Sequence, residues 1–280
     1  MHRARGILSS WRVCRLPGSA VRAAGKDAKV LIAGVLFIVG AVAGFVDAIA
    51  GGGGLLTMPA LFLTGIGNGD ALIVLGTNKG QGVCGTATSL HRFWQSPLLD
   101  RRRAAMSFPA ALAGAAGGVC LALRVPNRIL APLIIVLLAG VAVFMIVQRP
   151  PTVTEPPRQR GWLLTLVVAF AIAFYDGFFG PGTGTFVIFA YAYFWCDSLD
   201  AASANAKVVN FGSNLAAMVA FAALGKICWR LALPMAVGQI IGGYLGAHAT
   251  IRSGRNLVRV AVVVVSIALI GRLLWGIARS

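Results

Sequence analysis

The sequence predicts an all-α polytopic membrane protein with about eight transmembrane helices, arranged as two four-helix repeats that each hold a re-entrant or broken helix. Three observations lead there. Of 280 residues, 58% are hydrophobic and only 12% charged, and the mean hydropathy is +0.82. Four uncharged runs (104–123, 129–148, 177–196 and 231–251) reach the roughly 20 residues that cross a hydrocarbon core. A polar break, Asp-x-x-x-Gly-x-Gly at the end of a long apolar run, occurs at Asp47 and again at Asp176. Matched features also recur at nearly one spacing: Asp47 and Asp176 lie 129 residues apart, and Lys79/Lys207, Gly114/Gly242 and Gly118/Gly246 lie 128 apart.

The elements follow in order. Residues 1–28 carry six basic residues and one acid, Asp27. That composition fits a mitochondrial presequence, or residues upstream of the true start, but the reading adopted is a basic N-terminal cytoplasmic arm. The first repeat, 29–148, opens with a span at about 30–50. An apolar piece at 54–66 is too short to cross comfortably and reads as a re-entrant half-helix. Asp70 marks a turn, and spans follow at 71–94, 104–123 and 129–148. Residues 149–160, with Pro150, Pro151, Pro156 and Pro157, form a proline-rich cytoplasmic linker. The second repeat, 161–280, runs in the same order: a span at 162–179, a half-helix at 182–195, a turn at Asp197 and Asp200, and spans at 201–224, 229–250 and 257–277. Trp94, Trp162, Trp195, Trp229 and Trp275 fall near span ends, as an interfacial aromatic belt requires. The Gly114/Gly118 and Gly242/Gly246 pairs have the GxxxG spacing that lets helices approach closely.

Charge sets the orientation. The formal net charge of +17 sits mostly between apolar runs, so it reflects the positive-inside rule rather than nucleic-acid binding. Eight spans with a cytoplasmic N-terminus place 18 Lys/Arg inside and 5 outside; ten spans place 13 inside and 10 outside. The rule favours eight, with both termini cytoplasmic and the halves as parallel repeats; ten would make them inverted.

Four charges fall within membrane spans: Asp47, Asp176, Lys79 and Lys207. An acid in hydrocarbon is costly, and irregular backbone at membrane depth survives only inside protein or beside a water-filled cavity. The pattern points to a central polar site where half-helix N-termini and two lysines receive an anion. Lys79, Lys207, Asn78, Gln81, Asn205, Asn210, Gly51, Gly53, Gly180 and Gly182 are the candidate substrate-binding residues. Asp47 and Asp176 are the candidate proton-coupling groups, because burial disfavours the charged carboxylate. The alternative is purely structural: Asp47 pairs Lys79 and Asp176 pairs Lys207, locking helices together. Cys14, Cys84, Cys120, Cys196 and Cys228 show no ligand spacing and read as small apolar residues; His2, His91 and His248 are scattered. No metal or cofactor is expected.

Residues 44–59 with Leu75-Gly76-Thr77-Asn78-Lys79-Gly80-Gln81, and Asp176-Gly177-Phe178-Phe179-Gly180-Pro181-Gly182 with Ala204-Asn205-Ala206-Lys207, resemble the two halves of the sulfite exporter TauE/SafE family over about residues 30–277. The resemblance implies a multi-pass transporter of the bacterial inner membrane, exporting small anions such as sulfite, sulfoacetate or sulfolactate. Proton coupling is the further expectation. An uncoupled anion channel would use the same residues. A membrane-embedded enzyme is not expected, since Cys84 and Ser89 lack a nearby base. The expected partners are a small anion and the lipid bilayer, with no nucleic acid and self-association left open.

Overall fold

A computed structural model describes residues 26–66, 70–147, 156, 158 and 160–253. Among them are nine helices and no strand: α1 (Lys26–Ala50), α2 (Gly53–Leu63), α3 (Ala71–Trp94), α4 (Arg101–Arg124), α5 (Asn127–Val147), α6 (Trp162–Phe178), α7 (Thr183–Phe194), α8 (Leu199–Ala223) and α9 (Trp229–Ser253). The expected arm at 1–28 falls almost wholly outside the described residues, as do the span at 257–277, Trp275 and most of the linker. Val30–Ala50, Arg101–Arg124 and Leu199–Ala223 are long and apolar enough to cross a membrane by length and composition. Large apolar side chains point outward along α1, α5 and α6, among them Leu31, Ile38, Ile135, Val136, Leu163 and Val167. An outward apolar face is what lipid selects, and the chain is a multi-pass membrane protein.

Local chemistry explains the boundaries. Asp70 caps α3 by accepting from Leu72 N (3.0 Å) and Asp100 caps α4 by accepting from Arg103 N (3.0 Å), each satisfying a donor that the first helical turn leaves free. α2 and α7 have 11 and 12 residues, a rise of about 16–18 Å, near half a hydrocarbon core. Each begins at a glycine-rich break. Gly51, Gly180 and Gly182 have φ of 75°, 99° and 82°, a region that residues with a Cβ enter only with strain.

Glycines also set the packing. On α9, a Cβ on Gly242 would overlap the Ala41 carbonyl oxygen of α1, and one on Gly246 would lie 2.5 Å from Phe45 O. On α4, a Cβ on Gly114 would overlap Phe170 O of α6, and one on Gly118 would overlap Phe174 O. α4 and α9 therefore each pack along the first helix of the other half, backbone against backbone. Gly118→Val or Gly242→Val is expected to destabilise the fold by at least about 3 kcal/mol, the top of the overpacking range. A Cβ on Gly34 would meet nothing within 4 Å; Gly34→Ala is expected to be neutral or to stabilise by up to about 1 kcal/mol. Thermal unfolding of detergent-purified variants measures both, and equal losses would remove the packing argument.

Helix directions follow from the same contacts. Gly40 meets Met235 and Phe45 meets Gly246, so α1 and α9 are parallel. Gly76 meets Lys226, Gly85 meets Gln239, and Ser89 Oγ lies 3.2 Å from Gly243 O, so α3 and α9 are parallel too. By the same test α4, α6 and α8 share a direction, and α8 is antiparallel to α3, with Gly76 at Phe221 and Gly82 at Asn214. At one face Lys226 Nζ holds Asp70 Oδ2 at 2.6 Å, joining the starts of α9 and α3. At the other, Arg92 Nη2 and His248 Nδ1, near the ends of the same two helices, are 2.9 Å apart.

These directions bear on the expected order of eight crossings. There α1 and α3 are successive spans and antiparallel. Here they are parallel, so the chain between Ala50 and Ala71 runs back toward the face where α1 starts. Several of the cations counted in the loops are engaged at helix ends. Arg103 is buried against Asp197 and lies 5.1 and 5.2 Å from the Tyr191 and Trp195 ring centroids, while Arg92 and Lys226 are tied to other helices. Trp195 is accordingly buried under Arg103 instead of lying in an aromatic belt.

Candidate functional site

The breaks before α2 and α7 meet near the centre of the molecule. Gly51 and Gly184 are packed so closely that a Cβ on either would overlap the other's backbone. The second half also satisfies carbonyls at the end of α1. Thr185 Oγ1 donates to Ala50 O (2.8 Å), and Ser203 Oγ lies 2.9 and 3.0 Å from Ala48 O and Ile49 O. A cavity of about 40 Å³ lies beside this junction, room for on the order of three waters. Gly53 and Gly54 bring the N-terminus of α2 to it, Thr183 and Gly184 that of α7. Neither N-cap residue makes a side-chain cap hydrogen bond, so the positive ends of both helix dipoles face the cavity, with Gly53 N 3.4 Å from Asp47 Oδ1.

Two lysine–aspartate pairs flank the cavity, and both cross between the halves. Lys79 Nζ of α3 is 2.7 Å from Asp176 Oδ1 of α6; Lys207 Nζ of α8 is 2.9 Å from Asp47 Oδ2 of α1. The structural alternative of Asp47 with Lys79 and Asp176 with Lys207 is thereby corrected. The physical reason is the interleaved packing: α1 and α6 each lie in the opposite half's helix bundle.

Of the candidate residues, Lys79, Asn78, Gln81, Asn210, Gly51, Gly53, Gly180, Asp47 and Asp176 line the cavity. Gly180 lets Lys79 approach; a Cβ there would be 3.3 Å from Nζ. Asn78 Oδ1 accepts from Thr57 Oγ1 (2.5 Å) and Gln81 Nε2 (3.0 Å). Gln81 Oε1 and Asn210 Oδ1 are buried and, among the described residues, have no hydrogen-bond partner. Such orphans are costly unless a ligand or water completes them, and reversing an amide would turn its N–H groups to the same place.

Three candidates lie off the cavity. Lys207 is fully buried and also donates to the Asp47 backbone carbonyl. Gly182 packs against Val141 of α5. Asn205 holds the loop before α4, accepting from Asp100 N (3.0 Å) and donating to Leu98 O (3.3 Å). Thr77, 128 residues before it, does the same task in the other half by accepting from Cys228 N at 3.0 Å. The candidate set missed Thr86, Asn214 and Gln239, which line the cavity, and Ser213, which donates to Asp176 Oδ2. The available signal was a polar side chain in the middle of an apolar span.

The sulfite exporter TauE/SafE family profile matches residues 36–273. The chain is 35% identical over 243 residues to a probable membrane transporter protein, ORF9, of Sinorhizobium sp, covering 85% of this chain and 91% of that one. It is 33% identical over 248 residues to the probable membrane transporter protein YfcA of Escherichia coli K12, covering 88% and 90%. A probable membrane transporter protein of Haemophilus influenzae is 35% identical over 243 residues, covering 86% and 94%. No solved structure gives a significant match. An all-helical membrane chain whose halves converge on paired charges, matched by one family along nearly its whole described length, belongs to the sulfite exporter TauE/SafE family of membrane transporters.

Proposed function

We propose that the protein is a proton-coupled exporter of small anions in the bacterial inner membrane, taking sulfite or organosulfonates, built as ten crossings in two inverted repeats. The observation that carries the anion reading is Lys79. Its ammonium has three donors, one engaged by Asp176, and it stands on a small polar cavity where two half-helix N-termini converge. The buried amides of Gln81 and Asn210 add donors or acceptors for a compact oxyanion. A site of about 40 Å³ fits a few heavy atoms better than a large organic molecule. The repeat reading rests on matched contacts: Gly114 on Phe170 and Gly242 on Ala41, Thr77 on Cys228 and Asn205 on Asp100. Halves of opposite direction around a central site are the architecture of alternating access. The packing between the halves is then what rearranges as the site opens to one face or the other.

Purified protein in liposomes tests this. Vesicles loaded with sulfite, sulfoacetate, sulfolactate or chloride are expected to release the sulfur oxyanions saturably, and an imposed pH gradient is expected to drive accumulation. Flux that never exceeds the electrochemical gradient would assign an uncoupled channel. Absence of flux for every sulfur anion would reject the substrate class.

A further inference from the structure

The two lysine–aspartate pairs occupy matched positions but are built differently. Asp176 is saturated. Its Oδ1 lies 2.7 Å from Lys79 Nζ and 2.7 Å from Thr183 Oγ1, whose single proton it shares with Gly180 O; its Oδ2 accepts from Ser213 Oγ. The positions matching Thr183 and Ser213 in the first half are Gly54 and Gly85, at offsets of 129 and 128. Among the described residues Asp47 has no hydroxyl donor. Lys207 holds its Oδ2, and the other oxygen has only Gly53 N at 3.4 Å. Asp47 is also the more open acid, with its side chain 15% exposed against 4% for Asp176, and it lines the cavity. The lysines differ in the opposite sense. Lys79 faces the cavity, whereas Lys207 is buried off it and also donates to the Asp47 backbone carbonyl, which it keeps when the carboxyl changes state.

From this asymmetry we propose that Asp47 alone takes up and releases the coupled proton, while Asp176 is a fixed positioning residue that holds Lys79 for the anion. The assignment rests on the transporter reading above and divides its roles between the halves. The charged groups around Asp47 are Lys207 from α8, with Lys79 from α3 and Asp176 from α6 across the cavity; α9 contributes Gln239 there, and α2 and α7 contribute no charge. The four charges sum to zero. Seating a monoanion on Lys79 leaves one uncompensated negative charge in a low-dielectric site, which is unfavourable. A proton from the open aqueous side then converts the Asp47 carboxylate to a carboxylic acid and restores neutrality. Asp176 already holds three donors on its oxygens, and a proton placed there would have to displace one of them. The expected stoichiometry is one proton carried together with each monoanion, electroneutral overall, so net export runs when the outward anion gradient exceeds the inward proton gradient.

Infrared difference spectra of the full chain, recorded between alkaline and acidic buffer without added anion, read the carboxyl directly. A protonated-carboxyl band is expected in the parent and in Asp176→Asn, and its loss in Asp47→Asn. Where Asp176→Asn does not fold, pairing it with Lys79→Gln removes both charges together. Thr183→Ala with Ser213→Ala is expected to add a second band, because it strips Asp176 to the environment of Asp47. A band that survives Asp47→Asn, one lost with Asp176, or no band at all overturns the assignment. Liposomes with an internal pH dye and methanesulfonate, whose charge is constant with pH, then give protons moved per anion. The ratio is expected to fall from one toward zero in Asp47→Asn, whatever the anion rate, and an unchanged ratio overturns the coupling. If the parent moves neither methanesulfonate nor sulfite while the band maps to Asp47, the anion reading fails and the identification of the titrating carboxyl stands.

Discussion

Lys79→Gln is expected to leave a folded protein that no longer holds its anion, and Lys207→Gln a protein that is hard to fold at all. The two lysines sit at matched positions, yet their surroundings separate them. Removing the Lys79 charge leaves Asp176 with Thr183 and Ser213 as donors, so the buried acid stays partly satisfied. What is lost is a charge-assisted hydrogen bond to the anion, about 1.5–3 kcal/mol, or roughly 10- to 150-fold in affinity. Removing the Lys207 charge leaves Asp47 with only a 3.4 Å contact and strips a donor from its backbone carbonyl. Breaking a buried pair from one side costs about 3–5 kcal/mol, a large part of a typical domain's stability. Adding Asp47→Asn to Lys207→Gln removes both charges and is expected to recover much of that loss. Equilibrium binding of sulfite and thermal unfolding in detergent separate the two effects. Parent-like affinity in Lys79→Gln would assign that lysine a structural role only.

The helices were legible in the sequence because lipid imposes one demand, an apolar run of crossing length, and glycines and aspartates punctuate those runs. The span expected at 71–94 is α3 to the residue, and the half-helices at 54–66 and 182–195 differ from α2 and α7 by one to three residues at each end. Asp47 and Lys79 stood out for the same reason: a charge inside such a run has few structural uses. What the sequence could not carry was the partner of each charge. Pairing within a half is the shorter connection along the chain, but Gly114, Gly118, Gly242 and Gly246 draw α4 and α9 into the opposite halves and exchange the partners. Gly54 and Gly85 hid for another reason. Their meaning lies in the hydroxyls that Thr183 and Ser213 carry at the matched positions, and it emerges only once those hydroxyls are seen on Asp176. Helix direction lay beyond the charge count, because the close glycine contacts that make α1, α3 and α9 parallel carry no charge.

Direction yields the sharpest remaining expectation. A reporter inserted at Asn127 is expected on the same face as a tag ahead of Lys26, and one fused after Arg158 on the opposite face. Asn127 Oδ1 accepts from Ala71 N at 2.8 Å, which places the start of α5 beside the start of α3. α1 and α3 both run parallel to α9, so their starts share that face. Arg158 N donates to Trp195 O at 2.7 Å, beside Asp197 and the Arg103 it holds, next to the start of α4 and across the molecule from Asn127. With the basic arm cytoplasmic, Asn127 reads cytoplasmic and Arg158 external. Eight crossings require the reverse at both sites, so each readout is all-or-none. The N-terminal basic residues decide the absolute sign: residues 1–29 contribute 7 of the 13 inside Lys/Arg of the ten-crossing order, against 10 outside. Labelling of single cysteines at the two sites by a membrane-impermeant reagent, in intact cells and in inverted vesicles, gives the answer without a fused domain. An external Asn127 together with a cytoplasmic Arg158 would restore the eight-crossing order, and the inverted repeat would fall with it.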